Sequence, residues 1–108
     1  MNLTDSNFNQ EVLNSSIPVL VEFWASWCPP CRVMDPILDK LEKEYNGRIK
    51  IGKLNVDLNP ITPRKYGVKA LPTFIVFLNG VEVYRTMAAK TEDELREIIE
   101  KVIDMYSK

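Results

Sequence analysis

Cys28 and Cys31 are the only cysteines in this chain of 108 residues, and they sit close together in Trp27-Cys28-Pro29-Pro30-Cys31-Arg32. Sulfur at that spacing can carry thiol–disulfide exchange, hold half a metal site, or simply cross-link the chain. The apolar run just before it, Val19-Leu20-Val21-Glu22-Phe23-Trp24, is rich in the β-branched and aromatic residues that fit a pleated surface. From Pro30 onward Met34, Ile37, Leu38, Leu41 and Tyr45 recur at the steps of one helix face. A strand feeding a helix sets Cys28 at the helix N-terminus, where unpaired backbone N–H groups and the dipole favour an anion. For cysteine that anion is the thiolate. The dipole contributes roughly 0.3–1 kcal/mol, up to about 2 when partly buried. At about 1.4 kcal/mol per pKa unit, the thiol moves down by about one unit from its usual value of about 8.5.

Each alternative to redox chemistry is weaker. A bridge between Cys28 and Cys31 closes a very small loop, so it stabilises a fold little, and a reducing compartment would open it. Structural zinc needs a full set of Cys or His ligands, and this chain offers two cysteines and no histidine. Thiol–disulfide exchange is the chemistry that remains. In this reading Cys28, at the helix end, attacks a substrate disulfide and forms a mixed disulfide. Cys31, one turn further in and more buried, then attacks Cys28 and releases the reduced substrate.

These residues belong to a wider pattern. Phe23-Trp24-Ala25, Trp27-Cys28-Pro29-Pro30-Cys31, Pro36, Lys53-Leu54-Asn55-Val56-Asp57, Tyr66-Gly67-Val68, Leu71-Pro72-Thr73 and Asn79-Gly80 resemble the thioredoxin family in order and spacing, over nearly the whole chain. Thioredoxin is itself the standard example of a CxxC thiol with a lowered pKa, so the shift argued above for Cys28 is in keeping with that behaviour and not independent of it. The resemblance implies an α/β thioredoxin fold, a central mixed sheet of four to five strands with helices on both faces. It also implies that Leu71-Pro72-Thr73 is a loop with a cis proline facing the cysteine pair. The backbone there would pair with an extended substrate segment as an added strand does. Trp27, Pro29, Pro30, Leu71, Pro72, Thr73, Ala88 and Ala89 would line that surface, with Trp24 belonging to the core.

Three positions depart from the family pattern or leave a choice open. Glu22 is a carboxylate inside an apolar strand, where the family usually has Asp, and Lys53 on the neighbouring strand is its expected partner. Burying either charge alone costs several kcal/mol, on the order of a broken buried pair. The two can form a structural ion pair. Alternatively Glu22, beneath the active-site helix, accepts the proton of Cys31 during resolution; burial raises its pKa toward what such a base needs, and Lys53 pulls it back. Ala88 stands where the family usually has glycine, and its methyl group would narrow the groove. Pro29 replaces another usual glycine; it removes an N–H near the Cys28 sulfur and stiffens the loop.

The remaining sequence supports this frame. Length and the 45% apolar, 27% charged composition fit one soluble domain spanning residues 1–108. A net charge of −1, with both signs mixed along the chain, gives no sign of nucleic-acid binding or of a basic membrane-facing surface. The polar start Met1-Asn2-Leu3-Thr4-Asp5 lacks a signal-peptide layout, and with Met1 present a cytoplasmic protein is expected. No apolar run nears the ~20 residues of a membrane span. Thr4-Asp5-Ser6 can cap a short helix turning Phe8, Val12 and Leu13 inward, after at most a vestigial edge strand. A helix over residues 30–45 should kink at Pro36, which cannot bond the carbonyl of Arg32. Residues 48–57 read as a strand parallel to the first long one, joined by a right-handed crossover. A short helix over 60–66, a buried strand over 73–78, an Asn79-Gly80 hairpin into a peripheral strand over 81–87, and a last helix with a capping box at Thr91-Glu92-Asp93-Glu94 complete the chain.

The expected activity is that of a small monomeric dithiol reductant of client protein disulfides. It binds no cofactor of its own, since there is no dinucleotide fingerprint or room for a flavin domain, and a separate NADPH- or ferredoxin-linked thioredoxin reductase recycles it. Disulfide oxidases and isomerases commonly carry a histidine between the cysteines, which this chain lacks. A thioredoxin-fold binding module with dispensable cysteines is the reading from another class.

Overall fold

The sheet is built from strands of opposite habits. A computed structural model describes residues 1–107. It contains β1 (Asn2–Leu3), β2 (Val19–Trp24), β3 (Lys50–Asn55), β4 (Thr73–Leu78) and β5 (Val81–Met87), ordered β1-β3-β2-β4-β5. The pairs β1–β3 and β2–β3 are parallel, while β2–β4 and β4–β5 are antiparallel. Strands β2 and β4 are apolar at successive positions because both their faces are covered. Strand β5 is largely exposed and forms one edge.

Helices α1 (Pro29–Val33), α2 (Asp35–Glu44) and α4 (Glu92–Ser107) cover one face, where Leu20, Ile51, Phe74 and Val76 meet Met34, Leu38, Leu41, Leu95 and Ile99. On the other face Val21, Phe23, Leu54, Ile75 and Phe77 pack with Leu3, Phe8 and Val12. Tyr66, just past α3 (Ile61–Lys65), joins that side, its ring 5.1 Å from Phe77 and edge-on to it. The architecture is the expected mixed α/β sheet flanked by helices.

The single kinked helix expected over 30–45 is two helices, broken at Met34. The amide of Met34 donates to Cys31 one tight turn back, and that of Leu38 donates to Met34. Pro36, in the first turn of α2, has no N–H for Arg32, so the ladder stops and restarts there. Strand β3 is shorter than 48–57 at both ends. Arg48 and Ile49 still donate to the Tyr45 carbonyl, and the Asn55 side chain accepts the amides of Asp57 and Leu58, turning the chain away.

Near the N-terminus Thr4 and Asn7 cap each other reciprocally, but the helix shrinks to one wide turn, Asn9–Leu13, closed by Asn14 N–H on the Asn9 carbonyl. Asp5 serves elsewhere: its carboxylate accepts the amides of Ile61 and Thr62 and so caps α3. Asn79 and Gly80 both have positive φ, 54° and 78°, as the two-residue hairpin turn requires. The capping box at α4 forms in both directions, Thr91 N–H to Glu94 Oε1 at 2.9 Å and Glu94 N–H to Thr91 Oγ1 at 3.1 Å.

Candidate active site

The end of β2 delivers the chain directly to the cysteines. Ala25 is fully buried, and its carbonyl accepts the Cys28 amide at 3.1 Å, folding the backbone back toward the helix. Cys28 is the N-cap of α1 in an extended conformation, with Pro29 and Pro30 in the first two helical positions. Neither proline has an N–H to offer, and the Cys28 sulfur accepts from the Cys31 amide at 3.3 Å. The two cysteines form a disulfide, their Cα atoms 5.3 Å apart.

The helix-end position suggested an open Cys28, but in this bridged state it is only 4% exposed, against none for Cys31. Both sulfurs join a small apolar cluster with Ala25, against which Trp24, Val56 and Leu71 pack. The order of accessibility is as expected; the openness is not. A sulfur tied to its neighbour and covered by Leu71 has little surface left.

Leu71–Pro72 is a cis peptide bond, as the resemblance implied. Thr73, fully buried at the start of β4, fixes the loop by donating its hydroxyl to the Ala70 carbonyl at 2.6 Å. The Pro72 carbonyl accepts the Ala88 amide at 3.0 Å, bringing Ala88 beside the loop. Ala88 and Ala89 are exposed, and Ala88 has φ of 75°, a conformation that disfavours any side chain. Trp27 is 67% exposed, with its indole N–H on Asp57 Oδ2 at 2.8 Å. That contact was not anticipated, although Asp57 lies in the Lys53–Asp57 segment. A cleft of about 540 Å³ runs from Trp27 and Leu71 over Val56 and Val68 toward Arg64 and Lys69. Sequence reading missed the two cations, because nothing local marks them as facing the same space.

Beneath α1 and α2, Glu22 is 1% exposed, and neither of its oxygens has a hydrogen-bond partner among the described residues. Lys53 lies opposite it in the β2–β3 register, yet the expected Glu22–Lys53 ion pair is absent. The Lys53 ammonium bonds Asp35 Oδ1 at 2.8 Å instead and sits 5.7 Å from the centre of the Trp24 ring. Both partners of that pair keep solvent contact, so the ammonium avoids the desolvation that pairing with Glu22 would demand. Burial, followed by the like charge of Asp35, pushes the Glu22 carboxyl up to about 8, against a smaller opposing pull from Lys53. Trp24 is half-buried against the cysteine cluster, and its indole N–H has no hydrogen-bond partner among the described residues.

A thioredoxin family model matches residues 1–101. The chain belongs to the thioredoxin family. It is 43% identical over 102 residues to a thioredoxin of Rickettsia felis, covering 94% of this chain and 97% of that protein. It is 43% identical to thioredoxin 1 of a Nostoc species, over 92% of each chain, and 41% identical to a thioredoxin of Porphyra purpurea, over 94% of each. With a bridged CxxC pair at its helix end, this thioredoxin-family chain is a thiol–disulfide oxidoreductase with protein-disulfide reductase activity. Membership implies two general kinds of partner, a reductase and disulfide-bearing clients. No helix of the described residues is long and apolar enough to cross a membrane, and no cluster of metal-ligating side chains occurs among them.

Proposed function

We propose that Cys28 is the attacking thiol and Cys31 the resolving thiol in the reduction of client protein disulfides. The observation that carries the assignment is the pairing of a capping sulfur, Cys28, with a wholly buried one, Cys31. In the reduced protein the Cys28 thiolate attacks one client sulfur; a client S–S bond breaks, and the first client thiolate leaves and takes a proton from solvent. The mixed disulfide then faces Cys31. Its thiol gives its proton to Glu22 in the carboxylate form, attacks the Cys28 sulfur and expels the second client thiolate. Two electrons have passed to the client, and the Cys28–Cys31 bond has formed.

The client segment runs extended along Leu71-Pro72-Thr73 and pairs with that backbone, its side chains meeting Trp27, Pro29, Pro30 and Ala88. Lys53 belongs to the machinery through its charge near Glu22. The chain acts as a monomer, as one domain over residues 1–108, in the cytoplasm. An NADPH- or ferredoxin-linked thioredoxin reductase returns the electrons, since the hydride or iron–sulfur chemistry must reside in that partner. A Cys31→Ser variant tests the roles: it should accumulate mixed disulfides through Cys28 with a disulfide-bonded protein substrate, whereas Cys28→Ser should trap none. Trapping through Cys31 in Cys28→Ser would reverse the assignment.

A further inference from the structure

We infer that Asp35 is a positioning residue for the redox step: it holds the Lys53 ammonium away from Glu22 and leaves that carboxyl without an ion-pair partner. The β2–β3 register sets Glu22 and Lys53 directly opposite each other, where a lysine would ordinarily close onto the carboxylate. Asp35 competes because the break at Met34 makes it the first residue of α2, and its carboxylate lies 2.8 Å from the ammonium. Partial exposure of both Asp35 and Lys53 keeps their charges hydrated, while Glu22 has almost no solvent contact.

The groups bearing on Glu22 can be taken element by element. Strand β3 brings Lys53, helix α2 brings Asp35, and β4 brings Phe74, which carries no charge. Removing Asp35 would therefore both free Lys53 for Glu22 and delete the like charge that Asp35 places near it. The high Glu22 value, about 8, fits a carboxyl in which burial and Asp35 outweigh Lys53. Such a carboxyl is a far stronger base than an ordinary one and lies closer to a thiol, as proton transfer from Cys31 requires. The kinetic consequence rests on the proposed reading of Glu22 as proton acceptor; the titration itself does not.

The test is a carbon-NMR titration of the Glu22 carboxyl in the oxidised full chain. Asp35→Asn should lower the midpoint by about one pH unit or more, and Asp35→Glu should restore it toward the wild-type value. In a Lys53→Met background the same Asp35→Asn change should lower it by less than half as much. Asp35→Ser, which also suits a helix start, serves if Asp35→Asn folds poorly. An unmoved or raised midpoint would overturn the inference, as would an equal drop with and without Lys53, since Asp35 would then act by its own charge alone. A parallel measurement of mixed-disulfide resolution against pH separates the two readings. If the midpoint moves and the resolution profile does not, Glu22 is not the proton acceptor, and the positioning by Asp35 stands.

Discussion

Glu22 and Lys53 face each other across the β2–β3 register, but the lysine bonds Asp35 at 2.8 Å and leaves Glu22 unpaired. A buried carboxyl in that position keeps its proton to a higher pH than an exposed one, and stability must then depend on pH. Its folded value of about 8 lies above its ordinary 4.5, so the native state binds the extra proton between those two values. The contribution is fully present below about pH 4.5 and is lost as pH rises toward about 8. Glu22→Gln should abolish this loss. Urea unfolding at the two ends of that window should show the variant gaining on wild type at the alkaline end, on the order of a few kcal/mol. Parallel pH profiles for the two proteins would refute the assignment.

The Trp27 indole is fixed by Asp57 although most of the ring is in solvent. Asp57→Ala should free the ring and lower kcat/KM for a disulfide-bonded protein several-fold, on the order of 1 kcal/mol for one hydrogen bond. Asp57→Asn keeps an acceptor and should lose less. Equal effects in both would point to the charge of Asp57 rather than its hold on Trp27.

Ala88, at φ of 75°, carries a methyl group where glycine is comfortable. The left-handed conformation costs roughly 1–2 kcal/mol, and the extra freedom of an unfolded glycine offsets roughly 0.5–1 of it. Ala88→Gly should therefore stabilise by up to about 1 kcal/mol, read from denaturant midpoints, and Ala88→Val should destabilise.

The hydrogen bond from Cys31 N–H to the Cys28 sulfur is made where the two intervening prolines offer no amide. Pro29→Gly restores a donor that can stabilise the thiolate, and it loosens the reduced loop, so closing the bridge loses more entropy. Both effects favour the dithiol and raise the potential, by something on the order of 10–30 mV for a two-electron couple. Equilibration against a glutathione series measures it, and a lower potential for the variant would reverse the argument.

Local sequence carried the elements whose causes are local. Asn79-Gly80 encodes its own turn, Thr91 and Glu94 cap each other within one helical turn, and the apolar runs of β2 and β4 reflect two covered faces. The cysteine pair was legible from its seam between strand and helix, and the proline loop opposite it only through family resemblance. What escaped depends on competition in space. Asp5 caps a helix 56 residues away, Lys53 chooses between two carboxylates, and Trp27 finds Asp57 30 residues further on. Pro36 illustrates the middle case: its missing N–H announces a disturbance, but the tight turn through Met34 turns a kink into a break.

Alkylation of the reduced protein tests the central claim most directly. With limiting iodoacetamide at neutral pH and peptide mapping against time, Cys28 should be labelled first. Cys31 should follow at least about tenfold more slowly, given its burial and the helix-end position of the Cys28 sulfur. Equal labelling, or Cys31 reacting first, would contradict the assignment of Cys28 as the attacking thiol.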